Sequence, residues 1–324
     1  IEDGKTFTPF YFYNDFMKRF AVEFKKFEPN EKIVFALYDE INPYVGNYRI
    51  DPIAIPLLLS LSQQIVTYKK ESIWLELSSA PVLAKAMEFL YRSNFFDLVG
   101  DNMNPCFPIG QHIFDYDKGY IGGFGDNQIR PEHKVRFYSK KDNGVQDIIE
   151  YCNSDDEKRK IELFNEIINN YSYEVFRHFG PILENIDDEN TNDYIEILSE
   201  LITNGVVHSE SDVFALMYAD RFSTKFSISD NGIGFEESLN NKDDYKDILT
   251  EFKDVLYKAN NLSETAYSRS FVAILEALFY SMIKDRLGLF DLMINVVDRL
   301  QGYFRLHNDY CQIVISSRME SDIQ

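Results

Sequence analysis

The stretch that decides the fold runs from Asp193 to Phe235, DYIEILSELITNGVVHSESDVFALMYADRFSTKFSISDNGIGF. Its first part predicts an amphipathic helix, because apolar residues recur at helical spacing with polar residues between them. These apolar residues are Tyr194, Ile197, Leu198, Leu201, Ile202 and Val206. Glu200, Asn204 and His208 stand four residues apart, so they project from one stripe of this helix.

Two apolar-rich runs follow the helix, at 213–218 and 225–229, and they predict a pair of strands. The second run ends at DNGIG, residues 230–234. A carboxylate just past a strand can accept a hydrogen bond from a ligand, and glycines beside it let the backbone turn tightly and approach that ligand. The end of the second strand is therefore a candidate binding site.

These two motifs resemble a known superfamily. The run ELITNGVVH, residues 200–208, resembles the N-box of the GHKL ATP-binding proteins, and DNGIG resembles their first glycine box. That group includes gyrase B subunits, heat-shock chaperones, MutL-type repair proteins, sensor histidine kinases and anti-sigma-factor serine kinases. The alternative is an amphipathic helix followed by an incidental turn. The resemblance implies Mg²⁺-ATP binding in a sandwich with helices on one face of a mixed sheet.

The resemblance also implies a role for each motif residue. Asn204 matches the asparagine that ligates Mg²⁺, and its amide oxygen is a hard ligand of the kind this ion prefers. Glu200 matches an acidic position that can act as a general base. Asp230 matches the residue that accepts a hydrogen bond from the adenine amine. Gly232 and Gly234 would admit the base and begin a mobile lid.

A second glycine box is expected further along the chain. KDRLGLFDLMINVVDRLQGYFRL, residues 284–306, resembles it, although only Gly288 remains where the family has two glycines. A helix start offers free N–H groups to phosphates, which implies that Gly288 and Leu289 bind them. Lys284 and Arg286 are candidates for charge compensation. His208 either reaches phosphate oxygens or packs in the core, and two closing strands are predicted at 303–306 and 311–315.

The segment between the glycine boxes, 236–283, is predicted to be a long lid with helices at 244–259 and 269–282. Lids of this kind close on nucleotide and expose or hide a partner surface. An apolar face of the second helix packs either on its own domain or on a partner or second copy. Its residues are Phe271, Ile274, Leu275, Leu278 and Phe279.

An earlier segment has the pattern of a small parallel βα unit, with strands at 33–37 and 73–77 and helices at 53–69 and 81–91. IDPIAIPLLLSL, residues 50–61, and VLAKAMEFLYRSNFFDLV, residues 82–99, resemble STAS domains, the fold of anti-sigma-factor antagonists. Pro52 occupies the place of the phosphoacceptor serine in that family, which argues against a phosphoswitch here. The alternative is a βα scaffold used only for packing. An aromatic-rich run before it, 10–27, predicts a helix that packs in a core.

The connecting region contains three further patterns. Helices are predicted at 145–170 and 173–185. The glycine-rich run 119–128 lacks the Gly-Lys-Ser/Thr of a phosphate loop, which favours a hairpin or a flexible turn. The basic run RPEHKVRFYSKK, 130–141, favours a solvated strand edge over nucleic-acid contact. We expect His178 to be an ordinary helix residue, because no acidic residue follows it as one does in histidine kinases.

Composition restricts the partners. The net charge of -20 argues against nonspecific nucleic-acid binding and against an anionic membrane surface, since both require positive charge. No apolar run approaches the roughly 20 residues that a membrane span needs. Three scattered cysteines are typical of a reducing compartment, so a cytoplasmic protein is expected.

We therefore expect an α+β protein of 324 residues that binds ATP and Mg²⁺. The predicted parts are an N-terminal helical segment (1–30), a STAS-like domain (31–110), a loop-rich and helical connector (111–185), and a GHKL domain (186–324). The predicted function is an intracellular regulatory switch that acts as a kinase-like enzyme or an ATPase, with a protein partner or a homodimer. The alternative is a non-catalytic module whose interactions are gated by ATP.

Overall fold

The structure, a computed structural model, describes residues 6–28, 31–36, 49–78, 83–100, 112–123, 133–139, 157–184, 190–209, 211–240, 245–283 and 288–317. The protein is α+β, as predicted, and the strands of these residues form four small sheets. Contacts divide the chain into two compact units. The first unit is Ile1–Val206 with Asp212–Asn231, and the second unit is Val207–Ser211 with Gly232–Gln324.

The N-terminal segment packs through its aromatic side chains. It contains strand β1 (Thr6–Phe7), helix α1 (Pro9–Tyr11), a π turn (Phe12–Phe16) and helix α2 (Met17–Phe24). The Phe16 and Phe20 rings stack at 6.1 Å between centroids, and Phe20 and Phe24 stack at 5.2 Å. Phe20 and Phe24 pack against the main core of the first unit. The predicted aromatic helix is therefore a packing element.

The βα segment forms a parallel sheet, in agreement with the predicted order of elements. Its strands are β2 (Val34–Ala36), β4 (Ile73–Glu76) and β5 (Phe114–Asp115), and a short strand β3 (Arg49–Ile50) pairs with β1. Strand β4 lies between β2 and β5. Its helices are α3 (Ile55–Lys69), α4 (Ala84–Arg92) and α5 (Phe95–Val99). Pro52 begins a buried 3₁₀ turn, so this position has neither a hydroxyl group nor access to solvent.

The connector contains helix α6 (Lys118–Gly122) and helix α7 (Glu157–Glu184), and helix α8 (Thr191–Thr203) follows it. Helix α6 corrects the predicted turn in the glycine-rich run, because the Asp117 carboxylate accepts from Gly119 N–H at 2.9 Å and caps a helix there. Helix α7 replaces the second half of the first predicted helix and most of the second. The boundary predicted near Tyr171 was wrong, since residues 170–173 contain neither Gly nor Pro and Tyr171 is buried. Residues 145–156 lie outside the described ranges.

A three-stranded antiparallel sheet supports the candidate site. Its strands are β6 (His133–Tyr138), β7 (Val213–Ala219) and β8 (Thr224–Asp230), with β7 in the centre. The predicted strand pair is thus confirmed. Tyr138 pairs with Val213 and Val213 pairs with Asp230, so these three residues form one row across the sheet. Paired residues of antiparallel strands point to the same face, and the row therefore lies on a single face.

Helices cover both faces of this sheet, whereas the prediction placed them on one. Phe214 and Leu216 of β7 share a core with Leu59 of α3. Val213 and Ala215 point to the opposite face, where helices α7 and α8 pack on the strands. The run VFALMYA has no polar residue to face water, which is the physical reason that both faces are covered. The βα segment and this sheet therefore belong to one unit, and the division of the chain differs from the predicted boundaries near 110 and 186.

The second unit is built around a buried helix. It contains α9 (Gly234–Asn240), α10 (Lys246–Ala259), α11 (Ala266–Ile283), α12 (Leu289–Ile294) and strands β9 (Tyr303–Asn308) and β10 (Cys311–Ser316). Helices α10 and α11 confirm the two helices predicted for the lid. Val272 and Ile274 of α11 are fully buried, and α11 contacts α9, α10, α12 and both strands. Its apolar face thus packs within its own unit.

The closing strands do not complete a mixed sheet. Strands β9 and β10 pair antiparallel with each other and form a separate two-stranded sheet. Asp309 has φ 48°, the left-handed conformation that a tight two-residue hairpin turn requires. Local pairing through this turn is the reason for the difference from the prediction. None of the described helices is both long and apolar enough to cross a membrane.

Candidate functional site

Helix α8 positions the first two candidate residues. Its core face is fully packed, with Leu198 and Ile202 at 0% exposure. Glu200 is 3% exposed, and Asn204 is half-buried where α8 continues into a π turn, Asn204–His208. Single π turns inserted in helices often occur at functional sites. The side chain of His208 lies outside what the structure describes, so its predicted role stays a prediction.

A glycine brings this helix end against strand β8. A Cβ added at Gly205 would lie 2.6 Å from Val213 Cγ2 and 3.8 Å from Asp230 Cβ. Only glycine allows such a close approach, because real Cβ atoms essentially never come within 3.0 Å of another heavy atom. Asn204 precedes Gly205 directly, so it belongs to the same helix end. The helix end that carries Asn204 and the strand end that carries Asp230 therefore meet within the first unit.

Asp230 is an exposed carboxylate on a rigid strand end. The next residue, Asn231, donates from Nδ2 to Ser60 O at 2.9 Å and to Gln63 Oε1 at 2.8 Å. Its Oδ1 accepts from Gln64 Nε2 at 2.9 Å. Asn231 therefore points to helix α3, and Asp230 points to the opposite side, where α8 lies. Such a fully bonded amide fixes the strand end at which the carboxylate stands.

The same network extends to the start of β7. Gln63 Nε2 donates to Asp212 Oδ2 at 3.3 Å, and Ser139 Oγ donates to Asp212 Oδ1 at 2.9 Å. Sequence reasoning missed these residues. The signal was present, because Gln63 and Gln64 are two adjacent amides that follow the largely apolar first half of the helix, IPLLLSLS. Gln63 is half-buried and needs hydrogen-bond partners, and its partners Asp212 and Asn231 lie on either side of the strand pair in the sequence.

The first glycine box differs in one respect from the expectation. A Cβ at Gly232 would lie 2.3 Å from Ser209 O, and Ile233 N–H donates to this oxygen at 3.2 Å. The close approach predicted for a ligand is thus made by the protein's own Ser209 backbone. Gly234 has φ 75° and begins α9, which confirms that its conformation requires glycine. These contacts lie within the second unit.

The second glycine box also differs. Gly288 precedes α12, and a Cβ there would lie 2.4 Å from Ser281 Oγ. This hydroxyl oxygen accepts from Phe290 N–H at 2.8 Å, so one amide expected to bind phosphate already has a partner. Helix α12 begins at Leu289, next to the predicted position, and continues into a π turn, Asn295–Arg299. Leu289 is half-buried, and Lys284 and Arg286 lie outside the described ranges.

The candidate residues fall into two sets. Glu200, Asn204 and Asp230 lie in the first unit, on a helix and a strand that meet at Gly205. The glycines at 232, 234 and 288 lie in the second unit and are needed for its internal packing. No protein-family model, curated protein or solved structure matches this chain. The functional argument therefore depends on these residues and their geometry.

Proposed function

We propose that the chain is an ATP-binding regulatory protein in which Asp230 recognises adenine and Asn204 contributes to a Mg²⁺ site. The observation that carries the proposal is the contact at Gly205, where the Cβ position lies 3.8 Å from Asp230 Cβ. It brings the helix end that carries Asn204 against the strand end that carries Asp230. The two residues match the two motifs that suggested a GHKL protein.

The adenine part of the site fits the residues present. Asp230 is exposed and can accept a hydrogen bond from an exocyclic amine, while Asn231 holds its backbone against α3. A group held in place before binding loses little freedom when the ligand arrives. The Asn204 amide oxygen is a suitable ligand for Mg²⁺, which takes most of its other ligands from phosphate and water. At α12 the Phe290 amide is already bonded to Ser281, so the predicted phosphate contact would rest on the Gly288 and Leu289 amides.

The position of Glu200 favours binding over turnover. A general base must lie within hydrogen-bond distance of the water or hydroxyl that it activates. Glu200 is 3% exposed on the packed face of α8, so solvent does not reach it in this conformation. We therefore prefer the non-catalytic alternative, in which bound ATP changes the conformation that a protein partner recognises.

Calorimetric titration with Mg²⁺-ATP tests the proposal. Asp230→Asn replaces an acceptor with an amide and should weaken binding by about tenfold or more, the usual loss for a hydrogen bond to a charged group. Asp247→Asn, at an exposed position on α10, makes the same chemical change elsewhere and should bind like the wild type. GTP presents a carbonyl to Asp230 in place of the amine and should bind more weakly than ATP. Unchanged affinity in Asp230→Asn would exclude this site.

Phosphotransfer or hydrolysis is the second candidate function. It is favoured by Glu200, which stands one helical turn before Asn204 on α8. A phosphate-release assay and a labelled-ATP transfer assay on the same sample separate the two functions. Turnover that falls in Glu200→Gln while Mg²⁺-ATP affinity is retained would establish an enzyme. Binding without turnover supports the switch.

A further inference from the structure

A group of cations lies on the other edge of the antiparallel sheet. Lys134, Arg136 and Tyr138 alternate along β6, so all three point to the face on which α7 packs. Arg177 and His178 of α7 meet them there, because Tyr138 Oη lies 3.1 Å from His178 Nδ1. We call Lys134, Arg136 and Arg177 the β6–α7 basic cluster. It includes part of the basic run that the sequence singled out.

The hydrogen bonds in this region keep His178 neutral. Arg177 Nη2 lies 3.3 Å from His178 Nε2, and an arginine can only donate. Nε2 therefore accepts, which leaves Nδ1–H to donate to Tyr138 Oη. Burial, together with the positive charges of Arg136, Arg177 and Lys134, lowers the pKa of His178 to about 4. The imidazole thus adds no positive charge, but its pKa responds to all three cations of the cluster.

The cluster forms no ion pair with the described part of the chain. Among the described residues, no carboxylate lies within 4.0 Å of a cationic nitrogen of Lys134, Arg136 or Arg177. Two carboxylates face the region from a longer distance, since Asp97 acts on Arg136 and Glu174 acts on Tyr138. Asp97 raises the pKa of Arg136 without forming an ion pair, and Arg136 Nη1 donates only to Val135 O, at 2.8 Å. Burial and neighbouring positive charge lower the pKa of both Lys134 and Arg136. Three mutually repelling cations are costly to hold together, and an anion would remove that cost.

We propose that the β6–α7 basic cluster binds a phosphate monoester or a similar ligand with a doubly charged phosphate group. Two guanidinium groups and one ammonium match a compact dianion, since arginine pairs with phosphate through two parallel N–H donors. Arg177 is exposed and the other two cations are half-buried, so a small anion reaches them from solvent. Three cations in a chain of net charge -20 are too few for an extended nucleic acid.

This site is separate from the proposed adenine position. Tyr138 and Asp230 lie in one row but at opposite edges of the sheet, about 10 Å apart for two strand spacings. Val213 and Ala215 lie between them and are fully buried under the helices. The inference therefore does not depend on ATP binding. A failure of one proposal leaves the other unaffected.

The imidazole of His178 provides the readout. Titration of the 324-residue protein with inorganic phosphate, in chloride buffer without Mg²⁺ at a pH where phosphate is doubly charged, should shift the His178 NMR signal saturably, because a dianion bound to the neighbouring cations changes the electrostatic environment of the imidazole. Arg136→Gln should weaken binding by about tenfold, as expected for a charge-assisted hydrogen bond. Arg159→Gln is the control on the same helix, since Arg159 already pairs with Glu162 at 3.3 Å, and it should bind like the wild type. Asp230→Asn should also leave phosphate affinity unchanged.

Ligand variants decide the chemical class. Phenyl phosphate, a monoester dianion, should bind as inorganic phosphate does, whereas dimethyl phosphate and acetate, which carry one charge, should bind at least about tenfold more weakly. If acetate binds as tightly as phenyl phosphate, the assignment is overturned, because the cluster would then bind anions without preference for phosphate. A single-stranded oligonucleotide that binds more tightly than phenyl phosphate would overturn it in favour of nucleic acid. Absence of a saturable shift, with Arg136→Gln folded like the wild type, would remove the site.

Discussion

The contact at Gly205 gives the sharpest test of how the candidate site is built. In Gly205→Ala the new methyl would lie 2.6 Å from Val213 Cγ2, and Val213 is fully buried between β6 and β8. Extra volume in a packed core costs about 1–3 kcal/mol. Replacing glycine with alanine in a helix returns at most about 1 kcal/mol. We therefore expect a net loss of about 1–2 kcal/mol in the free energy of unfolding of the first unit.

A matched glycine separates this contact from helix propensity. Gly122 ends α6 and is exposed, and a Cβ there would meet no atom within 4 Å. Gly122→Ala should then be neutral or stabilise the protein by up to about 1 kcal/mol. Urea denaturation followed by circular dichroism measures both variants against the wild type.

A second substitution tests the cause directly. Val213→Ala alone removes buried methyl groups and should cost about 2 kcal/mol. In the double variant Gly205→Ala/Val213→Ala, the added methyl occupies space that the valine has left. The combined loss should be smaller than the sum of the two single losses by about 1 kcal/mol or more. Additive losses, or a Gly205→Ala variant as stable as Gly122→Ala, would refute the packing of Gly205 against β7 and β8.

Three further predictions concern substitutions of polar side chains that are buried or half-buried. Asn231→Ala leaves its α3 partners unpaired and should lower the free energy of unfolding by about 1–3 kcal/mol in urea denaturation. Asn260→Ala, at an exposed amide just after α10, should change it by no more than about 0.5 kcal/mol. Equal losses in the two variants would contradict the network. Burial raises the pKa of Glu276 above 4.5, so this carboxyl stabilises the fold at low pH and loses that effect as pH rises through its folded value. Glu276→Gln should therefore unfold at higher urea than the wild type at pH 7 but not below pH 4.5, and a gain that does not depend on pH would count against the reasoning. Burial lowers the pKa of His307 from 6.5 to about 4, so the free energy of unfolding should fall as pH drops through this interval. His307→Gln should reduce the dependence of this free energy on pH. An unchanged pH dependence would contradict the burial of His307.

Local elements followed from the sequence because their patterns are local. The 3.6-residue period of α8 and the alternation in β8 identify both elements, and DNGIG marks the turn that ends the strand. The βα order between 33 and 99 was predictable for the same reason. Each pattern is complete within one segment and needs no knowledge of its partner.

The grouping of elements was not predictable in the same way. The apolar run of β7 shows that two faces are covered, but it does not name the covering helix. The resemblance to STAS domains placed α3 in a domain of its own, whereas in the structure Gln63 of α3 bonds to Asp212 and Asn231. Strands β9 and β10 pair with each other through the turn at Asp309. A strand pattern does not show whether a strand pairs with its neighbour in sequence or with a distant strand.

The hydrogen bonds between α3 and Asn231 indicate where the proposed switch would transmit nucleotide binding. The bond from Asn231 to Gln63 joins residues 168 positions apart, so Asp230 is positioned only when the whole first unit has folded. Coupling of this kind is reciprocal: a ligand that favours the fixed strand end must also stabilise the packing of α3. Pro52, buried just before α3, rules out phosphorylation at that position as the signal. Bound nucleotide should therefore slow hydrogen exchange of the α3 amides, and unchanged exchange at saturating Mg²⁺-ATP would show that binding at Asp230 is not transmitted to this helix.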